Sequence, residues 1–253
     1  MRRELLYTPH LLAGRITEGL TRRHRLRSLR GTAAHELEAD HIETLELIQR
    51  VQATEAPRVV YDIGGNRGTW TVLARTICPA AEVHAFEPLE EVREEFLCRT
   101  APVGRTTLHT IALGAVTGTE RMNVHVFADS SSLLPLSEAD AVGSPDHLKE
   151  VRRVSVVALD EYVAERGLPE PDLIKIDVQG YEVEVFRGAP RALAHARAII
   201  AEVSFSEIYV GQPLFGEVAC FLGSIGYRVA GFSHGFPPAH GDLRQADVLF
   251  LRT

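Results

Sequence analysis

The feature that most constrains this chain is an apolar segment that runs directly into a glycine-rich turn and then into a helical pattern. Residues 59–63 read VVYDI and residues 64–68 read GGNRG. Glycine lets the backbone approach a ligand closely, and a helix that begins at such a turn points its first N–H groups toward that ligand. Gly64 and Gly68 therefore predict a binding turn, although Asn66 replaces the second glycine of the G-x-G-x-x-G dinucleotide pattern.

Two acidic residues accompany this turn. Asp62 precedes it at the predicted carboxyl end of the strand, where a carboxylate would repel a diphosphate and favours a cationic or amine-bearing ligand. In a second interpretation, Asp62 and Asn66 only cap the turn through hydrogen bonds to its backbone. Glu87 ends the next predicted strand, about 20 residues beyond the glycines, where an acidic side chain can bind both hydroxyls of a ribose.

After about residue 57, short runs rich in β-branched residues alternate with helical stretches. Strands that are apolar on both faces and alternate with helices are typical of a mostly parallel sheet covered on both sides. The sequence therefore predicts a doubly wound α/β fold. The predicted strands are 58–63, 82–87, 106–111, 172–177 and 197–203, and the predicted helices are 68–77, 89–98, 180–195 and 213–225.

Some segments depart from this alternation. Residues 121–127 and 151–157 predict two additional extended segments, separated by a polar loop. Residues 227–232 and 247–251 predict two strands joined without a helix, which suits an antiparallel pair at one edge of the sheet. Asp160 is predicted to cap the helix that it begins.

The N-terminal part of the chain differs from the rest. Apolar residues between Leu37 and Val51 have helical spacing, so we predict an N-terminal helical appendage or lid over residues 1–56 and a second domain over residues 57–253. Residues 1–30 carry eight arginines against two glutamates, in a chain whose formal net charge is -7. This basic arm is either a solvated helix face or a contact for an anionic partner.

Charged residues end two of the predicted central strands. Lys175 and Asp177 share one face of a strand, because side chains alternate with a period of two. Opposite charges within an apolar strand are costly to bury unless they pair. Glu202 ends the next strand at the same rim of the sheet. Asp177 and Glu202 are therefore candidates for hydroxyl recognition or general-base catalysis with Lys175 as their partner, and a purely structural ion-pair network is the alternative.

Composition excludes several other classes of protein. No apolar run approaches the roughly 20 residues that cross a bilayer, and no secretory signal is recognisable, so we expect a cytoplasmic protein without a membrane partner. The three cysteines form no C-x-x-C pair, which argues against a disulfide framework and a thiolate zinc site, and we expect all three to be buried. His35 and His41 lack the H-E-x-x-H spacing, and no ligand cluster demands a metal.

Several motifs in a fixed order connect this chain with a known family. They read DIGGNRG (62–68), FEP (86–88), ALG (112–114), SSL (131–133), LD (159–160), KIDVQGYE (175–182) and EVSF (202–205). Over residues 58–227 the chain thereby resembles the FkbM family of S-adenosylmethionine-dependent methyltransferases.

The resemblance implies a class I methyltransferase fold, with a mostly parallel seven-stranded sheet, and methyl transfer to a hydroxyl of a sugar or polyketide-type small molecule. It implies that S-adenosylmethionine is held by Asp62, Gly64, Asn66, Gly68 and Glu87, with Ala112 near the adenine. Arg67 departs from the apolar residue expected between Asn66 and Gly68.

Other functions stay open at this point. A nicotinamide dehydrogenase would share the sheet, and a non-catalytic module would bind S-adenosylhomocysteine without turnover. A methyltransferase could also act on a carrier-protein-bound or nucleotide-linked acceptor through the basic N-terminal arm. A nucleic-acid partner is disfavoured by the acidic body of the chain and by the lack of aromatic residues among the arginines. The sequence is compatible with a homo-oligomer and does not specify the acceptor.

Overall fold

A computed structural model describes residue 20 and residues 23–37, 42–141, 147–233 and 243–253. Three regions considered above lie wholly or partly outside the described residues. These are most of the basic arm, residues 142–146 of the polar loop, and residues 234–242 between the last two strands.

Ten strands form two sheets within the described residues. The strands are β1 Val59–Ile63, β2 Glu82–Phe86, β3 Thr106–His109, β4 Ala112–Gly114, β5 Gly118–His125, β6 Leu148–Ala158, β7 Leu173–Ile176, β8 Ala198–Ser204, β9 Tyr227–Phe232 and β10 Gln245–Arg252.

The main sheet has seven of these strands in the order β3-β2-β1-β7-β8-β10-β9. The first five in this order are parallel, whereas β10 is antiparallel to both β8 and β9. This is the class I methyltransferase topology, and it confirms the parallel sheet and the antiparallel terminal pair.

Helices cover both faces of this sheet because its central strands are apolar on both sides. In β1, Tyr61 and Ile63 pack into one core, while Val60, which precedes Tyr61, packs into the core on the opposite face. The helices are α1 Leu45–Thr54, α2 Thr69–Ile77, α3 Arg93–Thr100, α4 Glu138–Ala141, α5 Leu159–Arg166, α6 Glu182–Arg187, α7 Pro190–His195 and α8 Phe215–Ser224. None of the described helices combines the length and apolar character that a bilayer crossing requires.

The described part of the N-terminal segment contributes to one of these two cores. Leu29, Leu45 and Ile48 are buried against the same face of the sheet as Trp70 and Leu73 of α2. The Trp70 indole N–H donates to the Thr44 hydroxyl over 2.9 Å, so the segment is also fixed by a buried hydrogen bond. The segment therefore packs directly on the sheet and shares its core.

The second sheet is three-stranded and has the order β4-β6-β5. The two additional extended segments of the sequence prediction are thus strands of this sheet. The predicted strand over 106–111 was too long, because the chain leaves the main sheet after His109 and Ala112 begins pairing with Val156 of β6.

Two predictions about helices need correction. The single helix predicted over 180–195 is two helices, α6 and α7, which meet at Gly188. A Cβ at Gly188 would lie 2.1 Å from the Gly114 carbonyl oxygen, so close approach to β4 requires glycine there. Asp160 does not cap its own helix; its carboxylate accepts from the backbone N–H groups of Arg191 and Ala192 and so caps α7.

The expectation for the cysteines was correct only for Cys78, which is buried. Cys98 and Cys220 are free and exposed.

The glycine turn yields a prediction about stability. Gly64 has φ +83°, and a Cβ there would lie 1.8 Å from the Asp177 carbonyl oxygen of the adjacent chain segment. We expect Gly64→Ala to cost about 3 kcal/mol or more, because it adds a backbone collision to the left-handed conformation.

Gly167→Ala is the matched control, since Gly167 has φ +63° and no atom lies within 4 Å of the position that an added Cβ would occupy. It should cost only about 1–2 kcal/mol. Denaturant unfolding of both variants measures the difference, and equal losses would contradict the proposed collision.

Candidate active site

A cavity of about 920 Å³ opens at the carboxyl ends of the parallel strands. Open α/β sheets bind ligands at this edge, and the volume is at the upper end of the range for small-molecule sites. Of the predicted site residues, those that line the cavity are Gly64, Asn66, Glu87, Ala112, Lys175, Asp177 and Glu202. Asp62 and Gly68 lie beside it but do not form its wall.

The glycine turn forms one end of this cavity. The N–H groups of Gly64 and Gly65 both donate to the Phe86 carbonyl oxygen, over 2.9 and 3.1 Å, which binds the turn to the end of β2. Asn66 adopts a left-handed conformation with φ 41°, and its buried amide oxygen has no hydrogen-bond partner among the described residues. This part of the cavity wall therefore contains a buried acceptor atom that has no donor among the described residues.

Gly68 is the last residue of the turn and directly precedes α2. Its φ is +78°, and a Cβ there would lie 2.8 Å from the Thr100 side chain and 3.0 Å from the Phe96 ring. Its structural role is to let α2 and α3 approach each other closely. The direct cofactor contact expected from the resemblance therefore stays a prediction for this residue.

Glu87 ends β2 as predicted, and its carboxylate is already engaged by the backbone. One oxygen accepts from the Asn66 N–H and the other from the Leu89 N–H, each over 2.9 Å. The side chain thus fixes the shape of the glycine turn while it lines the cavity. Burial raises the pKa of Glu87 to about 7, although the two N–H donors favour the charged form.

Asp62 lies beneath the turn and is completely buried. Its Oδ2 accepts from the Thr71 hydroxyl over 2.5 Å, and its Oδ1 lies 4.0 Å from the Lys175 ammonium. Burial raises the pKa of Asp62 above its usual value. This residue connects β1 with α2 and with Lys175, so any effect on a ligand would pass through those partners.

The predicted Lys175–Asp177 pair forms at the other end of the cavity. The Lys175 ammonium is 3.2 Å from Asp177 Oδ2, and only 6% of the lysine side chain is exposed, against 27% for the aspartate. Burial alone would lower the pKa of Lys175, but Asp177 and Asp62 together raise it above the usual value. Lys175 therefore carries a permanent charge between two strands, and Asp177 is the member of the pair that a ligand can reach.

Glu202 lies next to this pair and is held by two amide side chains. Its Oε2 accepts from Gln245 Nε2 over 2.9 Å and from Gln179 Nε2 over 3.3 Å. Burial, together with the charges of Asp177 and Asp247, raises the pKa of Glu202 well above its usual value. A carboxyl in this environment favours its neutral form.

Sequence reasoning missed three polar residues of this cluster, namely Gln179, Gln245 and Asp247. Asp247 pairs directly opposite Glu202 in the β8–β10 ladder and lines the cavity. Burial raises its pKa to about 6. Gln179 could have been found from its place two residues after Asp177, but the antiparallel register of β10 has no local sequence signal.

The remaining wall combines apolar and N-terminal residues. Ala112, Leu113 and Met122 provide an apolar surface from the second sheet, and Glu43 and Thr44 contribute from the N-terminal segment. Within the described part of the chain, no group of three or more His, Cys, Asp or Glu residues is arranged to hold a metal ion.

Arg67, which departs from the family pattern, also lines the cavity and pairs with Glu95 of α3 over 3.0 Å.

Residues 62–229 match the methyltransferase FkbM domain model, which is more than half of the chain. The chain belongs to the FkbM methyltransferase family. FkbM methyltransferases use S-adenosylmethionine, so this protein is an S-adenosylmethionine-dependent methyltransferase, and the nicotinamide dehydrogenase alternative is excluded.

Two curated relatives are O-methyltransferases by name. The 2-O-methyltransferase NoeI of Sinorhizobium fredii is 31% identical over 176 residues, which cover 65% of this chain and 71% of NoeI. The 31-O-demethyl-FK506 methyltransferase FkbM of Streptomyces tacrolimicus is 28% identical over 200 residues, which cover 68% of this chain and 73% of that enzyme. In the curated relatives, the region that aligns with this chain covers between 8% and 73% of the relative's own length.

A solved structure supports the fold alone. PH1948 of Pyrococcus horikoshii superposes with a TM-score of 0.51 at 10% identity, and the match covers 92% of this chain and 96% of PH1948.

The cavity of this FkbM methyltransferase suits S-adenosylmethionine by its donor and acceptor set. The unpaired Asn66 amide oxygen and the Glu87 carboxylate are acceptor groups that would suit ribose hydroxyls or an ammonium group, and their contact with the cofactor stays a prediction. The apolar wall that includes Ala112 suits an adenine ring.

Calorimetric titration with S-adenosylhomocysteine tests this assignment. We expect wild-type protein to bind it and Glu87→Ala to bind at least about tenfold more weakly, because the variant loses an acceptor and releases the Asn66 N–H. NAD serves as the control ligand and should produce no binding signal. Equal affinity of the variant and wild type would exclude Glu87 from the binding site.

The raised pKa of Glu87 also predicts how stability depends on pH in the ligand-free protein. The folded value is about 7, above the ordinary 4.5, so the folded state binds more protons between these values and this carboxyl destabilises the fold as pH rises through that window. Glu87→Gln removes the titration. The free energy of unfolding of wild type relative to Glu87→Gln should fall between about pH 5 and 7; a constant difference would contradict the shift.

Proposed function

We propose that this FkbM-family protein transfers a methyl group from S-adenosylmethionine to a hydroxyl of a small-molecule acceptor of the sugar or polyketide type. The observation that carries the proposal is the cluster of Lys175, Asp177 and Glu202, which lies in the same cavity as the glycine turn. The O-methyltransferase names of NoeI and FkbM support a hydroxyl acceptor.

The two ends of the cavity would then have separate tasks. Gly64, Asn66, Glu87 and Ala112 would hold the cofactor, and the carboxylate cluster would hold the acceptor. When bound, S-adenosylmethionine supplies an activated electrophilic methyl group. The main contribution of the protein is consequently to orient the acceptor oxygen, and well-oriented intramolecular reactions reach effective molarities on the order of 10⁵ to 10⁸ M.

Asp177 is the proposed general base. Its carboxylate is partly exposed to the cavity and is held on one side by the Lys175 ammonium, 3.2 Å away, and on the other by the Gln179 amide, 2.6 Å away. The acceptor hydroxyl would donate its proton to Asp177 as the oxygen forms its new bond to carbon. Such a base contributes typically about 10² to 10⁴-fold to the rate.

Glu202 would have a different task from Asp177. Since burial and neighbouring carboxylates favour its neutral form, its carboxyl group can donate a hydrogen bond to an acceptor oxygen. Lys175 would not contact the acceptor, because it is almost fully buried, and would position Asp177. Asp62 would support Lys175 from the far side.

A screen of hydroxylated natural products and nucleotide sugars, read by mass spectrometry as addition of one methyl group, tests the reaction. With an acceptor identified, Asp177→Asn should slow turnover by about 10² to 10⁴-fold, because the amide cannot accept the proton. Glu202→Gln should be slower by about tenfold or more, because it loses the hydroxyl donor. Both variants should bind S-adenosylhomocysteine as wild type does.

Glu165→Gln is the matched control, because Glu165 is an exposed residue of α5 outside the cavity. It should turn over at the wild-type rate. Wild-type turnover by both Asp177→Asn and Glu202→Gln would remove these residues from the proposed mechanism. Methylation of carrier-bound substrates alone would favour the carrier-protein alternative.

A further inference from the structure

Gln179 has an unusual backbone conformation for its type. Its φ is 56°, in the left-handed region that a glutamine rarely adopts. Side chains hold the backbone on both sides of it: Glu182 Oε1 accepts from the N–H groups of Val178 and Gly180, each over 3.1 Å, and the Ser132 hydroxyl donates to the Gln179 carbonyl oxygen over 2.7 Å. Conformations of this kind persist where the surroundings determine them fully, and they cluster at functional sites.

The conformation directs the Gln179 amide between the two carboxylates of the proposed acceptor site. Its Nε2 lies 2.6 Å from Asp177 Oδ1 and 3.3 Å from Glu202 Oε2, so one amide group donates to both. The Tyr209 hydroxyl lies 2.8 Å from Gln179 Oε1 and thereby fixes which end of the amide faces the carboxylates. Tyr209 itself is 2% exposed, and its hydroxyl also lies 2.9 Å from the Ser130 carbonyl oxygen.

We propose that Gln179 is a positioning residue that sets the orientation and the charge of Asp177 and Glu202, and that Tyr209 orients its amide. The inference rests on the proposed function, in which these carboxyl groups act on the acceptor. A glycine would adopt the left-handed backbone without strain but could not donate to either carboxylate. The presence of a glutamine at this position is therefore explained by the amide group of its side chain, and not by the backbone conformation of the turn.

Several charged groups face the pair from neighbouring elements. They are Lys175 of β7, Asp62 of β1, Asp247 of β10 and Glu182 of α6. All four remain in place when only Gln179 is replaced, so a change in the titration of Glu202 reports the loss of the amide.

Carboxyl-carbon NMR titration of ¹³C-labelled protein tests the proposal without an acceptor. Signals are assigned with Asp177→Asn and Glu202→Gln. In Gln179→Gly, the midpoint of Glu202 should rise by about one pH unit, because its charged form loses an N–H donor. Tyr209→Phe should shift it in the same direction by less, because the amide keeps its place but loses its fixed orientation.

Gln179→Asn is the conservative control, since asparagine tolerates the left-handed region and keeps a shorter amide. Its titration should lie between those of wild type and Gln179→Gly. Thermal unfolding and S-adenosylhomocysteine binding establish that each variant is folded. Titration curves of Gln179→Gly that superpose on those of wild type would overturn the proposal and leave Gln179 a structural turn residue. Failure of the acceptor screen would instead count against the proposed function, because this titration involves no acceptor.

Discussion

The ion pairs of the buried Lys175 ammonium are the interactions on which the rest of the site depends. The ammonium lies on the central strand β7, within 4.0 Å of Asp62 on β1 and 3.2 Å of Asp177 just beyond its own strand. Removing one partner of a buried pair leaves an uncompensated charge and typically costs about 3–5 kcal/mol. The lysine therefore allows the carboxylates of Asp62 and Asp177 to lie close together at one rim of the sheet, which their mutual repulsion would otherwise oppose. Burial and neighbouring carboxylates raise the pKa values of Glu202 and Asp247 above their usual values, although Lys175 acts to lower both.

The glycine turn and the charged strand also depend on each other through the backbone. Gly64 approaches the carbonyl of Asp177 so closely that no side chain fits between them. The proposed cofactor end and the proposed acceptor end of the cavity are consequently in direct contact, although their motifs are far apart in the sequence. Buried glutamates fix both ends in the same way, Glu87 by accepting N–H groups around the glycine turn and Glu182 by accepting those around Gln179.

The parts that sequence reasoning predicted are those with a local signal. The period-two burial of β1, the glycines of its turn, and the acids at the ends of β2 and β8 are each encoded within a few residues, so the parallel sheet and part of the cavity wall followed from them. The break at Gly188 and the position of Asp160 against α7 depend on contacts between distant segments, and the prediction failed there. Asp247 and Gln245 were missed for the same reason, because their place beside Glu202 is set by the register of an antiparallel strand near the end of the chain.

The two parts of the cavity differ in whether backbone or side-chain contacts hold them. The proposed cofactor end is built from β1, β2 and the turns that follow them, which pack on one another and share backbone hydrogen bonds. The proposed acceptor end receives Gln245 and Asp247 from β10, and its Gln179 is bound through Ser132 and Tyr209 to the segments around residues 130 and 209. Those segments contact Gln179 through side chains, which can be exchanged without moving the glycine turn. Within the proposed function, acceptor specificity can therefore change through these side chains while Lys175 and its carboxylates stay in place.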